Sequence, residues 1–166
     1  MAAGTPLNLA VVTVSDTRTE ATDKSGALLC EMLQADGHRL HDKIIVADDI
    51  FQIRKQVSSR IEDPAVHGVI TTGGTGFTAR DNTLRAIKPL FDVDIEGFGE
   101  LFRFLSYDEI GSSTIQSRAF AGMANGTIVF CLPGSPGACR TGWEKIIREQ
   151  LDSQHKPCNF TDKLKL

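Results

Sequence analysis

The sequence has no excess of basic charge. Its 166 residues carry a formal net charge of -3, which excludes a global field for nucleic acid or an anionic membrane surface and leaves only local patches. No stretch approaches the ~20 apolar residues of a membrane helix. The longest apolar runs, such as Ile128 to Leu132, have strand length. The start, MAAGTPLN, lacks the basic end and apolar run of a signal peptide. The four cysteines, Cys30, Cys131, Cys139 and Cys158, form no Cys-x-x-Cys pair, so a structural zinc site has no support. Reduced thiols in a cytoplasmic protein are the expectation. Cys139 lies in a loop of interest, but without a nearby base a nucleophilic role is not expected. The histidines show no metal-ligand spacing, and no repeat, low-complexity segment or linker divides the chain.

What is present suits one globular domain. The hydrophobic share is 41%, enough for a core. Leu7 to Val14 reads as a strand buried on both faces. A polar loop, SDTRTEATDKSG, precedes a helix from Lys24 to Asp36 that Gly37 stops. Arg39 to Ala47 is a second strand. Asp48 or Asp49 caps the next helix, where Ile50, Ile53, Val57 and Ile61 recur at helical spacing. His67 to Thr72 is a third strand, and it delivers a glycine loop and another helix. This alternation predicts an α/β fold of three αβα layers around a mostly parallel sheet. Asn125-Gly126 between apolar runs adds a short hairpin. Phe98 to Gly111 reads as a helix with too many apolar faces for a lone surface helix; either core burial or a subunit interface explains it. The domain is expected to span 1–166, with 152–166 as a surface tail.

Ligands bind such sheets beyond the carboxyl ends of the strands, which directs attention to Ser15-Asp16-Thr17, Asp48-Asp49, Gly73 to Asp81 and the last strand-end loop, Leu132 to Gly137. Gly73-Gly74-Thr75-Gly76 follows a buried strand, and successive glycines let backbone N–H groups turn inward as an anion nest. No lysine follows, so this is not a Walker loop. Gly74, Gly76 and Ala79 satisfy a relaxed dinucleotide fingerprint, a weak match because it follows the third strand rather than the first. A tight turn without ligand is the plain alternative. Asp81 stands just beyond the nest, where a carboxylate beside a phosphate needs a cation or donor between them; magnesium resolves the conflict. Asp48 comes from a neighbouring strand end and can face the same site. For either acid, helix capping is the alternative. Pro133, Gly134 and Ser135 offer a second wall, or a simple strand-to-helix turn with Ser135 as cap and Pro136 in the first helical turn. Ser15 and Asp16 complete a pocket or cap a loop. Arg80 and Arg118 contact phosphate or lie solvated on the surface.

These residues resemble a family. TTGGTG with the downstream Arg80-Asp81, EGFGELFR (Glu96 to Arg103) and LPGSPGACR (Leu132 to Arg140) are similar to the molybdenum-cofactor biosynthesis proteins of the MoaB/Mog type, relatives of the gephyrin domains. The resemblance runs from VVTVSDTR to KPCNF, and the LPGSPGACRTGWE segment and CNF tail are most similar to the MoaB branch. It implies binding of molybdopterin, a tricyclic pterin with a dithiolene and a terminal phosphate, and adenylylation of that phosphate with ATP and magnesium. By the same resemblance Gly73, Gly74, Thr75 and Gly76 cradle phosphate, Asp48 and Asp81 hold magnesium, and Ser15, Asp16, Pro133, Gly134 and Ser135 line the pocket. Ala47 stands where active transferases commonly carry proline, which changes how Asp48 is aimed. The alternative is a non-catalytic pterin-phosphate binder or scaffold of the same pathway. The resemblance further implies a homo-oligomer, trimer or hexamer, with no nucleic-acid or membrane partner.

Overall fold

Successive residues of a strand point to opposite faces. Both faces are buried around Leu9 to Val12: Leu9 and Val11 enter one core, Ala10 and Val12 the other. In the computed structural model, which describes residues 4–166, this segment is β1, Asn8–Val14. Met1 to Ala3, part of the start compared above with a signal peptide, lie outside the described residues. Two strands flank β1 in parallel: β2, Arg39–Val46, and β3, Gly68–Thr72. The helices α1, Lys24–Ala35, and α2, Ile50–Glu62, make the crossovers. Gly37, at φ 89°, ends the first of them as expected. Asp49, not Asp48, caps the second, accepting from Phe51 N and Gln52 N.

After β3 and the glycine loop comes only a five-residue helix, α3, Thr83–Ile87. Then follow β4, Val93–Asp94, and α4, Glu96–Ile110, which runs into a 3-10 stretch, Gly111–Gln116. The expected hairpin joins β5, Phe120–Ala124, to β6, Thr127–Leu132, and Asn125 and Gly126 both take positive φ. The last helix begins as α5, Pro136–Gly142, passes through a π-helical segment, Trp143–Ile147, and ends as α6, Arg148–Gln150. The sheet order is β2-β1-β3-β6-β5-β4. The first four strands are parallel, and β5 is antiparallel to both its neighbours.

Two cores make the three layers. Leu29 and Leu33 of α1, Phe98 and Phe102 of α4, and Trp143 and Ile147 pack on one face. Ile53 and Val57 of α2 and Ile87 of α3 pack on the other. The helix α4 bears out the core-burial reading through Phe98 and Phe102, while its other side is exposed, Phe104 at 75% and Tyr107 at 61%. In the tail, Leu164 is buried in the first core, and Lys165 N donates to Gly126 O (3.0 Å) behind the hairpin turn. Among the described residues no helix is long and apolar enough to cross a membrane.

Candidate functional site

The parallel strands send their carboxyl ends to one edge, where three loops meet. Gly73 N donates to Leu132 O (2.9 Å) and Thr72 Oγ1 to Pro133 O (3.0 Å), which ties the glycine loop to the Pro-Gly-Ser loop. Ser25 Oγ donates to Gly134 O (2.9 Å) and brings in the start of α1. Between them lies a cavity of about 210 Å³, with Ser15, Arg18, Lys24, Gly73 and Gly134 in its walls. Asp23 forms the cap of α1 beneath it. It accepts from Gly26 N (2.9 Å) and Thr13 Oγ1 (2.6 Å) and pairs with Lys43 (3.0 Å). Burial works to raise the Asp23 pKa, but these donors outweigh it and hold the carboxyl below its usual range.

Every carbonyl of the glycine loop is turned into the protein. Gly73 O accepts from Thr83 Oγ1 (2.8 Å) and Gly74 O from Thr83 N (3.1 Å). Thr75 O accepts from Arg118 N and Nε, both at 3.3 Å, and Gly76 O from Arg118 Nη2. Inward carbonyls leave the amides of the same peptide units facing away, the polarity of an anion nest. Gly73 and Gly74 reach this shape with φ of 100° and 70°. A Cβ on Gly73 would strike Val14 O, and one on Gly74 would strike Thr83 Oγ1.

The two acids lie against this loop. Asp48 is 5% exposed, and its Oδ1 accepts from Asn82 N (2.9 Å). Its Oδ2 lies where a Cβ on Gly74 would come within 3.2 Å. Asp81 Oδ2 accepts from Thr78 N (2.9 Å) and Thr78 Oγ1 (2.7 Å), against Gly76. Neither acid caps a helix: Asp49 caps α2, and Asn82 stands at the start of α3. Their environments push them apart. Burial raises the Asp48 pKa, and the Asp81 and Asp16 charges add to it. Burial also works to raise Asp81, but bonds from Thr78 and Gly76 and the Arg118 charge bring it below its usual range. Two neighbouring carboxylates with opposed shifts are a feature of functional sites. The donor set fits a divalent cation completed by phosphate oxygens. Among the described residues no group of three or more metal-type ligands gathers, so the protein offers two carboxylates.

The expected site residues therefore fall into two adjoining groups. Ser15, Gly73 and Gly134 line the cavity; Gly74, Gly76, Asp48 and Asp81 form the acidic side of the loop. Thr75 is buried. Pro133 and Ser135 shape the wall through a carbonyl and a cap rather than through free polar groups. Asp16 is paired with Arg80 in a two-pronged contact (2.9 and 2.8 Å), which with Asp48 N holds the Asp16 pKa low. Arg118 is not a solvated surface residue, for it is half-buried and holds loop carbonyls. Cys139 is buried at the bottom of this region, its thiol pushed up to about 11 by burial, so a nucleophilic role has no support here. The sequence reading missed Arg18, Lys24, Asn82 and Thr83. Arg18 and Lys24 stood in the open: two cations in a strand-end loop that leads into a helix.

The α/β domain gathers a glycine loop, two acids with opposed shifts and a Pro-Gly-Ser wall at the carboxyl ends of its strands. The chain belongs to the MoaB/Mog family of molybdenum cofactor biosynthesis proteins: residues 10–153 match the family described as "Probable molybdopterin binding domain". It is 51% identical over 160 residues to molybdenum cofactor biosynthesis protein B of Escherichia coli K12, covering 96% of this chain and 94% of that one. A crystal structure of a molybdenum cofactor biosynthesis protein B superposes with a TM-score of 0.87 at 47% identity, covering 90% and 93% of the two chains. The tungsten cofactor synthesizing protein MoaB of Pyrococcus furiosus superposes at 0.78 with 41% identity, covering 87% and 92%.

Proposed function

We infer that the protein binds molybdopterin by its terminal phosphate and transfers an adenylyl group from ATP to that phosphate, with magnesium between the acids and the nucleotide. The observation that carries this reading is the polarity of the glycine loop, all four of whose carbonyls are engaged by Thr83 and Arg118. The cavity of about 210 Å³ is smaller than the roughly 300–1,000 Å³ of ordinary ligand pockets. It suits a phosphate end rather than a whole pterin. Arg18 and Lys24 in its walls, together with the start of the twelve-residue helix α1, favour an anion there.

On this reading a pterin phosphate oxygen attacks the α-phosphorus of ATP, and the bond to the β-phosphate oxygen breaks, releasing pyrophosphate. Magnesium held by Asp48 and Asp81 would neutralise the charge that builds on the transferring and leaving groups. The Gly74 and Thr75 amides hold the attacking phosphate, Gly73 N and Gly76 N being taken by Leu132 O and Asp81, and the Arg80–Asp16 pair fixes the loop beside Asp48. The test is ATP turnover to pyrophosphate with molybdopterin and magnesium supplied. The second reading, pterin-phosphate binding without turnover, is favoured by the shortage of metal-type ligands, since among the described residues no group of three or more gathers. Tight molybdopterin binding with no pyrophosphate release would establish it in place of the first.

A further inference from the structure

We propose that Arg118 is the positioning residue of the glycine loop: its guanidinium draws the last carbonyls of the loop inward, so that the loop amides are left facing outward for an anion. The importance of those amides rests on the phosphate reading above. The effect of Arg118 on the loop stands on geometry alone.

Arg118 lies just before β5, 43 residues from the first carbonyl that it holds. Its Nε donates to Thr75 O (3.3 Å), and its Nη2 to Gly76 O and to Asp81 O (3.2 Å). Three carbonyls spread over seven residues need donors in a fixed planar fork; an ammonium offers a single point. The guanidinium also lies 4.9 Å from the centroid of the Phe77 ring, which is 67% exposed and covers that side from solvent. Arg118 is in turn anchored. Arg103 of α4 donates to Ser117 O (3.3 Å) and Ala119 O (3.2 Å), on both sides of it. The loop thus hangs from α4 through two arginines. Bonds from a charged donor are stronger than neutral ones, and a carbonyl stripped of its donor turns to find another. Thr83 secures the first half of the loop in either case. Loss of the Arg118 side chain should therefore free the carbonyls of Gly76 and Asp81, leave Thr75 O on the backbone N of residue 118, and leave Gly73 in place.

Amide hydrogen exchange on the ligand-free protein tests this. In Arg118→Gln, the bonded amides of the second half of the loop, Thr78 N and Asp81 N, should exchange at least about tenfold faster, the factor lost with one good hydrogen bond, while Gly73, β3 and β6 keep parent protection. Added methylguanidinium should restore the protection of those two amides. Arg118→Lys should keep the fold and still lose loop protection. Parent-level protection of the loop in both variants would overturn the proposal. So would parent-level protection in the lysine variant alone, because a point charge would then suffice. If the glutamine variant unfolds, the lysine variant decides by the same criterion. In a separate arm, calorimetry with inorganic pyrophosphate should give about tenfold weaker binding in Arg118→Lys. If the parent protein does not bind pyrophosphate, the phosphate reading fails and the exchange result still judges Arg118.

Discussion

Any side chain at Gly74 would set a Cβ against a φ of 70° and drive it into Thr83 Oγ1, the atom that holds Gly73 O. Gly74→Ala should cost about 1–3 kcal/mol in backbone strain, a melting temperature roughly 2–12 °C lower in a chain of this size. A parent-like thermal transition would show that the loop relaxes freely. Asp81 should behave differently. Asparagine keeps an oxygen for Thr78 N, so Asp81→Asn should stay within about 1 kcal/mol of the parent in stability. It removes the charge a cation needs, so turnover should fall at least about a hundredfold. Equal turnover in mutant and parent would remove Asp81 from the mechanism. Asp48 sets the pH response. Its pKa is raised by burial and then by Asp81 and Asp16, so as pH falls it takes up its proton before those two neighbours, both of which are held low. Magnesium-dependent ATP binding should weaken at a higher pH than an ordinary carboxyl of about 3.9 would dictate, and Asp48→Asn should abolish the magnesium dependence throughout. Calorimetry with magnesium and with EDTA across that range reads both effects.

The N-terminal end of β1 carries an acid-sensitive anchor. Leu7 N donates to His38 Nδ1 (3.2 Å) and Asn8 N to His67 Nδ1 (2.9 Å), so both rings must be neutral at that nitrogen. Burial lowers the pKa of both; Lys165 and Arg39 lower His67 further, whereas Asp36 and Asp152 oppose the shift at His38. A histidine whose folded pKa lies below its unfolded value contributes stability that is complete above about 6.5 and is lost as pH falls toward the folded pKa. Urea unfolding should show that decline, and a His38→Gln, His67→Gln double variant, which does not titrate, should flatten it. An unchanged slope in the double variant would place the acid sensitivity elsewhere. None of this was legible in the sequence, because each histidine finds its partner on another element. What was legible is local. The two buried faces of β1, the Gly37 stop, the Asn125-Gly126 turn and the Ser135-Pro136 start of α5 each depend on neighbours a few residues away. Asp48 could not be told from Asp49 as a cap, since the choice is made by Asn82, 34 residues on. Arg118 read as either a phosphate contact or a surface arginine for the same reason. The site was legible as motifs, but the two sides of its glycine loop appear only when the carbonyl directions are known.

At the scale of the whole molecule, the face left unexplained is the outer side of α4. Of the nine exposed large hydrophobics among the described residues, five belong to this helix and the 3-10 stretch after it: Leu101, Phe104, Tyr107, Ile110 and Ile115. The first four follow one another at i, i+3 steps, which makes a ridge of the kind helices pack into each other's grooves. An exposed aromatic ridge of this sort marks an interface rather than a solvated surface. It lies on the reverse of the helix whose Phe98 and Phe102 fill the core, so covering it needs no rearrangement of the fold. The protein should therefore be a closed homo-oligomer, because a repeated patch on identical chains is buried most simply by rotational symmetry. The resemblance to its family sets the expected number at three or six. Light scattering at micromolar concentration should give one of these masses, and Phe104→Glu, which places a charge in the middle of the ridge, should shift the population toward monomer with the monomer still folded by circular dichroism. A stable monomer for the parent protein would defeat both the ridge argument and the family number. A trimer that survives Phe104→Glu would keep the number and move the interface to another surface. The assembly also bears on the site, because α4 carries Arg103, and Arg103 fixes the segment from which Arg118 reaches the glycine loop. If the ridge is the interface, dissociation by Phe104→Glu should raise hydrogen exchange at the bonded Thr78 and Asp81 amides as well as in α4. Exchange confined to α4 would show that the loop keeps its shape without the partner.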